Sequence, residues 1–166
     1  DLDLNKYDLY FIDSVTVAAR ICLQWCQTQK EAFNSKGEPD LRGAYGLLGR
    51  EMIAWITHLQ HAKEKAVILV GLVEQEKDDF GRVSWQLQID GKKAGREIPG
   101  IVDEVLAMAF VDFGTDEEPD VRRALVCLPE AGMQTYPGFT VKDRAGRLDA
   151  YEQPHIGKLL TKLTRR

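Results

Sequence analysis

The sequence predicts an α/β domain whose mainly parallel core sheet is flanked by helices and extended by antiparallel strands toward the C-terminus. Two apolar runs, residues 7–12 and 66–73, have the length and composition of buried strands. The segment between them carries two amphipathic helical patterns. A strand, two helices and a second buried strand imply a right-handed crossover between parallel strands.

The first strand is expected to end at Asp13 and Ser14, two residues that favour the start of a helix. Residues 35–46 contain three glycines and a proline, so we expect a flexible loop there. Two helices are predicted, one on each side of this loop. Their apolar positions are Val15, Ala18, Ala19, Cys22, Trp25 and Cys26 in the first, and Leu48, Met52, Trp55, Ile56 and Leu59 in the second.

Beyond the second strand the pattern changes to shorter elements. Trp85, Leu87 and Ile89 alternate with polar residues after a charged segment, which predicts a β-ribbon or a long excursion. Residues 129–153 are expected to be largely loop. The other predicted elements are a short helix over 98–106, strands over 107–113 and 122–128, and a terminal helix over 154–162.

Composition excludes several classes of protein. The hydrophobic fraction of 44% and the charged fraction of 29% are ordinary for a globular domain. No apolar run approaches the about 20 residues that a membrane helix needs. Three cysteines are too few for a disulfide framework, so a reduced, cytoplasmic compartment is expected. The net charge of −4 argues against a protein coated in nucleic acid, although a local basic patch remains compatible with it.

Asp13 is the sharpest functional signal in the sequence. A carboxylate at the carboxyl end of a buried parallel strand projects into the crevice where α/β sheets bind ligands, and there it can hold Mg²⁺ beside the phosphates of a nucleotide. The alternative is that Asp13 only caps the following helix. Glu74 and Gln75 directly follow the second buried strand, so neighbouring strands would bring them close to Asp13. The alternative is that Glu74 and Gln75 simply open a solvated loop.

The order of four segments carries a family resemblance. YDLYFIDS, AVILVGLVEQEKDD, REIPGIVDEVLAM and VKDRAGRL follow one another over nearly the whole chain, and a terminal helix comes last. This arrangement resembles the RecA-like ATP-binding proteins of phages and prophages, a group that includes single-strand annealing recombinases. The resemblance implies a RecA-like P-loop core, ATP and Mg²⁺ as cofactors, and recombination or replication on single-stranded DNA. It also implies homo-oligomers, because RecA-like proteins often bind nucleotide between subunits.

The resemblance assigns roles to particular residues. Asp13 would match the Walker B aspartate that binds Mg²⁺, with Ser14 beside it, and Gln75 would be the polar sensor of the γ-phosphate, with Glu74 next to it. Segments 35–46 and 76–96 would contact DNA. Cations there neutralise phosphates, and a tryptophan can stack on a base. The residues in or beside the second segment are Lys77, Arg82, Trp85, Lys92, Lys93 and Arg96. Their alternative is a solvated β-ribbon with Trp85 packed on a sheet.

Arg144 resembles an arginine that reaches a nucleotide, within its own subunit or across an interface, and stabilises charge on the transferred phosphoryl group. The alternative is a surface arginine in a turn. Sequence reasoning leaves both readings open.

One required motif is missing from the sequence. A P-loop ATPase needs G-x-x-x-x-G-K-[S/T], and the 166 residues do not contain it. RecA-like cores have this loop before the Walker B strand, so we expect it upstream of Asp1 and expect the chain as given not to hydrolyse ATP. The prediction is a single, N-terminally truncated nucleotide-binding domain. The rival hypothesis is a non-catalytic DNA-binding or assembly module that retains the fold without an active nucleotide site; a different magnesium-dependent phosphotransfer enzyme is the third.

Overall fold

The computed structural model describes residues 6–164. They divide into two compact units, which are described separately below. Unit 1 comprises the chain up to Glu74 together with Gln86–Val102, and unit 2 comprises Gln75–Trp85 together with the chain from Asp103 onward. That the chain forms a single domain stays a prediction.

The described residues form α-helices and short strands. The helices are α1 Val15–Cys26, α2 Leu41–Gln60, α3 Lys92–Ile101, α4 Pro129–Thr135 and α5 Ile156–Thr164, with a 3₁₀ turn at Lys30–Ala32. The strands are β1 Leu9–Asp13, β2 Ala66–Val70, β3 Val73–Lys77, β4 Val83–Leu87, β5 Glu104–Val105, β6 Ala107–Asp112, β7 Val121–Val126, β8 Lys142–Asp143 and β9 Tyr151–Glu152.

The parallel pair of unit 1 confirms the predicted crossover. β1 and β2 run parallel, in a register that extends from Leu9 opposite Ala66 to Asp13 opposite Val70. The carboxyl ends of both strands therefore lie at the same edge. Helices α1 and α2 connect the two strands, as the sequence predicts.

The core of unit 1 forms mainly between α1, α2 and α3. Ala19 and Cys26 of α1 are fully buried, and so are Leu48 and Ile56 of α2. These are positions of the predicted apolar faces, so the helical period identified the core correctly. Trp25 is the exception, since it belongs to the predicted apolar face of α1 and is 49% exposed.

Helix α2 begins earlier than predicted, so the expected loop over 35–46 was wrong for its second half. Asp40 caps the helix, because its side chain accepts a hydrogen bond of 2.9 Å from the backbone N–H of Arg42. Gly43 lies in the first turn, where the backbone carbonyl of Glu31 occupies the space that a side chain would need. The glycine that suggests a loop thus serves close packing inside a helix.

The second predicted strand also ends earlier than predicted, at Val70 rather than Val73. The prediction that both strands are buried was wrong, because β2 is half-buried along its length and β1 has exposed apolar residues. Residues 73–77 form the separate strand β3, which pairs with β4 and confirms the predicted β-ribbon. Gly71 marks the break, because a Cβ there would lie 2.5 Å from Cδ1 of Leu87 and 3.0 Å from Cγ1 of Val15. Close packing at this glycine separates the two strands.

The predicted helix over 98–106 and the predicted loop over 129–153 also need correction, the loop because it contains α4, β8 and β9. Helix α3 begins at Lys92 and contains Pro99 near its end, whereas a helix was expected to start after that proline. Pro99 lacks the N–H that would donate to the carbonyl four residues earlier, and the helix ends two residues later, at Ile101. Helix α4 was missed, although Pro129 and Glu130 in its first turn are recognised helix-start signals. Strand β9 was missed as well.

Unit 2 is built on antiparallel strands. β7 pairs with β6 on one side and β9 on the other, and β5 pairs with β8. Buried residues of β6, β7 and α4 form one core cluster, and Cys127, Leu148 and Leu159 form another. The α/β class and the antiparallel C-terminal strands are therefore confirmed. The expected mainly parallel sheet is not, because the described strands form small sheets with a single parallel pair.

Within residues 6–164, no helix combines the length and the apolar character that crossing a membrane requires.

Replacing Gly43 with Ala is expected to destabilise the protein by about 1–3 kcal/mol, because the new Cβ would collide with backbone rather than with a movable side chain. Gly46→Ala is the matched control in the same helix, since nothing lies within 4 Å of a Cβ at that position. The control should be neutral or stabilising by up to about 1 kcal/mol. Urea unfolding of both variants measures the difference; equal stabilities would contradict the packing account.

Candidate functional site

The candidate site begins at the carboxyl end of β1. Asp13 is the last residue of the strand and lies opposite Val70, the last residue of β2. Asp13 is exposed, and its peptide bond to Ser14 is cis. The structure thus puts this carboxylate at an open strand end, in the position that α/β proteins use for ligand binding.

Ser14, rather than Asp13, caps helix α1. The Ser14 side chain accepts a hydrogen bond of 3.2 Å from the backbone N–H of Val17, and its own backbone is extended. This is the arrangement of an N-cap residue. The alternative explanation of Asp13 as the capping residue is therefore wrong, and the cap role belongs to its neighbour.

Thr16 connects the two strand ends and was missed by sequence reasoning. It is 1% exposed, and its Oγ1 accepts a hydrogen bond of 3.1 Å from the backbone N–H of Leu72, just after β2. The carbonyl of Leu72 accepts in turn from the N–H of Gln88 at 2.8 Å. A threonine in the first turn of a helix gives no sequence signal for such a long-range bond. The contact fixes the start of α1 to the chain that leaves β2.

Glu74 and Gln75 do not follow β2 directly. Both lie in β3, and the residues that directly follow β2 are Gly71 and Leu72. The Glu74 carboxylate accepts a hydrogen bond of 3.3 Å from Nε2 of Gln86. Gln75 is exposed and belongs to unit 2, whereas Asp13 belongs to unit 1. The sensor role of Gln75 stays a prediction.

The predicted DNA contacts are distributed over both units. Lys77, Arg82 and Trp85 belong to unit 2, and Lys93 and Arg96 lie on α3 in unit 1. Lys77 and Arg96 are exposed, and Lys93 forms a loose ion pair of 3.9 Å with Glu97. Lys92 begins α3, and its side chain lies outside what the structure describes.

Arg82 and Trp85, like Lys93, have protein partners. The Arg82 guanidinium forms a 2.7 Å ion pair with Asp78 and lies 5.6 Å from the Phe80 ring centre. Trp85 is half-buried, and its ring packs edge-on against Tyr136 at 5.1 Å between centroids. The alternative explanation put Trp85 on a sheet, whereas its ring packs against Tyr136 at the end of α4.

Arg144 lies in an exposed turn directly after β8. Its Nη1 donates to Oδ1 of Asp103 at 2.6 Å, in an ion pair with both side chains about half exposed. Its backbone N–H donates to the carboxylate of Glu104 at 3.1 Å. Two successive acidic residues therefore orient both the main chain and the side chain of Arg144.

The Glu104 and Asp143 carboxyls form a hydrogen-bonded pair with opposite pKa shifts. Burial, then the hydrogen bond to Asp143, raises the pKa of Glu104 to about 7. The pKa of Asp143 is lowered: burial opposes the shift, and backbone donors from residues 146–148 together with Glu104 outweigh it. Glu104 is therefore the carboxyl of this pair that holds a proton more readily, and it loses that proton as pH rises through about 7.

The cysteines are poorly suited to nucleophilic chemistry. Burial raises the pKa of the Cys22 thiol to about 11 and that of Cys127 to about 12, and it also raises the pKa of Cys26. Thiols with raised pKa values contain little thiolate at neutral pH. This supports a structural role for all three cysteines.

A comparison with protein families identifies the class to which the chain belongs. A protein family described as an AAA domain matches residues 2–144, most of the sequence. The chain belongs to this AAA-domain family. Membership indicates a P-loop NTPase-type fold and a nucleotide-binding, ATPase-like function. No curated protein and no solved structure matches the chain.

Nucleotide binding by AAA domains usually involves Mg²⁺, and Asp13 fits that ion. Mg²⁺ is commonly bound by one or two carboxylates, with phosphate oxygens and water completing its octahedron. The described residues contain no group of three or more metal-ligating side chains that would hold an ion alone. A lone exposed carboxylate at a strand end therefore suits a metal that arrives with its nucleotide.

Replacing Thr16 with Val in this AAA domain is expected to lower the free energy of unfolding by about 1–3 kcal/mol, because the Leu72 N–H loses its acceptor while the side-chain shape is kept. Thr28→Val is the control, since the Thr28 hydroxyl is exposed and water can replace its bond to Trp25. Thermal unfolding measures the stability of both variants. A Thr16→Val variant as stable as Thr28→Val would contradict a stabilising role of the bond between Thr16 and Leu72.

Proposed function

We propose that this AAA domain is part of a RecA-like, ATP- and Mg²⁺-dependent protein of phage or prophage type that acts on single-stranded DNA in recombination or replication. The observation that carries the nucleotide part is the exposed carboxylate of Asp13 at the carboxyl end of a parallel strand pair. Family membership supports the ATPase-like class. The order of sequence segments supports the finer assignment to the RecA-like group.

This proposal assigns a separate role to each candidate residue. Asp13 would hold Mg²⁺, which would supply positive charge at the phosphates of ATP, and Ser14 lies beside it as the cap of α1. Gln75 senses the γ-phosphate, with Glu74 as its neighbour on β3. Arg144 stabilises the charge of the transferred phosphoryl group, in its own subunit or across an interface of a homo-oligomer.

The phosphate-binding loop is proposed to lie upstream of Asp1, because G-x-x-x-x-G-K-[S/T] does not occur in the 166 residues. Without the backbone N–H groups and the lysine of that loop, the β- and γ-phosphates lose their main ligands. The chain as given should therefore not hydrolyse ATP. A protein with no such loop in its complete sequence would instead be the non-catalytic module.

Replacing Asp13 with Asn in the complete protein is expected to lower ATP hydrolysis by about 10–100-fold, because a neutral amide binds Mg²⁺ weakly. Excess Mg²⁺ should partly restore the rate, since the lost interaction is with the metal. A coupled phosphate-release assay at several Mg²⁺ concentrations measures both effects.

Asp8→Asn is the matched control for that experiment. Asp8 precedes β1 at the opposite end of the strand, and its side chain is fully exposed. The same change of charge there should leave hydrolysis near the wild-type rate. Near-normal turnover of Asp13→Asn, or an equal loss in both variants, would overturn the assignment of Asp13.

DNA binding in this proposal depends on exposed cations rather than on net charge, which is −4. Lys77 and Arg96 are the most suitable for phosphate contact because both are exposed. Trp85 can stack on a base only if it leaves its contact with Tyr136. The cations are therefore the better test of DNA binding.

Lys77→Gln and Arg96→Gln are each expected to weaken binding to single-stranded DNA several-fold and to reduce the slope of log K against log salt by about 0.7. Arg20→Gln removes an exposed cation of α1 outside the predicted DNA segments and should change neither quantity. Fluorescence anisotropy with a labelled oligonucleotide at several salt concentrations measures both. Identical curves for the three variants would remove the DNA part of the proposal and leave its nucleotide part intact.

A further inference from the structure

Glu104 and Asp143 lie opposite each other on paired strands. The register of β5 and β8 puts Glu104 against Asp143 and Val105 against Lys142. Like charges at directly opposed positions of an antiparallel pair repel each other. A hydrogen bond between the two carboxyls would offset this repulsion, and it requires a proton on one of them.

The two carboxyls also bind five successive backbone N–H groups. Glu104 accepts from the N–H groups of residues 144 and 145 at 3.1 and 3.2 Å. Asp143 accepts from those of residues 146, 147 and 148 at 2.9, 2.7 and 2.7 Å. The whole turn after β8 is therefore organised around one carboxyl pair.

That turn fixes the position of Arg144. The backbone N–H of Arg144 donates to Glu104, and the Arg144 guanidinium donates to Asp103 at 2.6 Å. The arginine is thus anchored at both ends by residues that precede β6. A change that loosens the carboxyl pair removes one of these anchors, while the Arg144 N–H keeps a second acceptor, the carbonyl of Asp103, at 3.3 Å.

We propose that Glu104 is a positioning residue for Arg144, and that the proton it shares with Asp143 keeps the 144–148 turn ordered. When that proton leaves, two carboxylates face each other, the turn loosens, and the arginine loses its fixed orientation. Contact of Arg144 with nucleotide rests on the proposed function above. The ordering of the turn does not.

Charged groups of both signs lie near the pair formed by Glu104 and Asp143. Lys142 and Arg144 are positive, Asp103 is negative, and the buried Cys127 thiol near Asp143 is neutral because its pKa is raised to about 12. Burial and Asp143 raise the pKa of Glu104 from 4.5 to about 7. A raised carboxyl pKa means that folding favours the protonated form, so this ordering is fully present at low pH and is lost as pH rises through about 7.

The Glu104→Gln variant removes the titrating proton while keeping the shape of the side chain. Glu104 accepts from the Arg144 N–H through Oε2 and from the Ala145 N–H through Oε1, and the Arg144 N–H also donates to the carbonyl of Asp103 at 3.3 Å. A glutamine with its NH₂ in the Oε2 position can donate to the Asp143 carboxylate, while its Oε1 keeps the Ala145 N–H and Asp103 keeps that of Arg144. It therefore mimics protonated Glu104 at every pH. Glu117→Gln is the control, because Glu117 lies in the exposed turn between β6 and β7.

The first experiment follows the backbone amide NMR signals of residues 144–148 while pH is raised through neutrality. In the wild type and in Glu117→Gln we expect a common transition with a midpoint near 7, which Glu104→Gln should abolish. Asp103→Asn should keep the transition, since it frees only the guanidinium. Absence of a transition in the wild type, or an unchanged one in Glu104→Gln, would overturn the positioning role.

The second experiment measures ATP hydrolysis of the complete protein over the same pH range. The wild-type rate should fall as pH rises through about 7, and Glu104→Gln should remove that fall while keeping the rate seen at lower pH. An Arg144→Ala background should show no effect of the Glu104 change. An amide transition without any change in hydrolysis would contradict nucleotide contact by Arg144 and retain the ordering of the turn. Loss of both would contradict the positioning role itself.

Discussion

The parallel pairing of β1 with β2 is the constraint on which the candidate nucleotide site depends. It aligns Asp13 with Val70, so that the strand that ends in a carboxylate and the strand beside it terminate at one edge. The helix that follows β1 starts at this edge under the Ser14 cap. An exposed carboxylate beside a helix N-terminus and two strand ends is an arrangement suited to a metal–phosphate ligand.

Side-chain bonds to backbone then fix the segments that surround this chemistry. Thr16 fixes the chain after β2, and the pair formed by Glu104 and Asp143 fixes the turn that contains Arg144. These polar groups fix individual segments of backbone, whereas the apolar core packs the helices against one another. A carboxyl pair with a shared proton also makes one of these segments responsive to pH near neutrality.

The residues assigned to function are divided between two compact units. Asp13 and Arg96 belong to unit 1, while Gln75, Lys77 and Arg144 belong to unit 2. Each unit has a core of its own. The experiments on Asp13, on the cations and on Glu104 therefore address separate parts of the molecule, and each can fail without the others.

The sequence by itself determined the α/β class, the parallel crossover, the apolar faces of α1 and α2, and the position of Asp13 at a strand end, because strand length and helical period are local properties. Tertiary packing decided the rest. Gly43, inside α2, and Gly71, directly after β2, lie where neighbouring atoms crowd the position of a Cβ. Thr16 and Glu104 gain their roles from partners 56 and 40 residues away along the chain. Contacts between residues so far apart in sequence produce no periodic pattern from which they could be predicted.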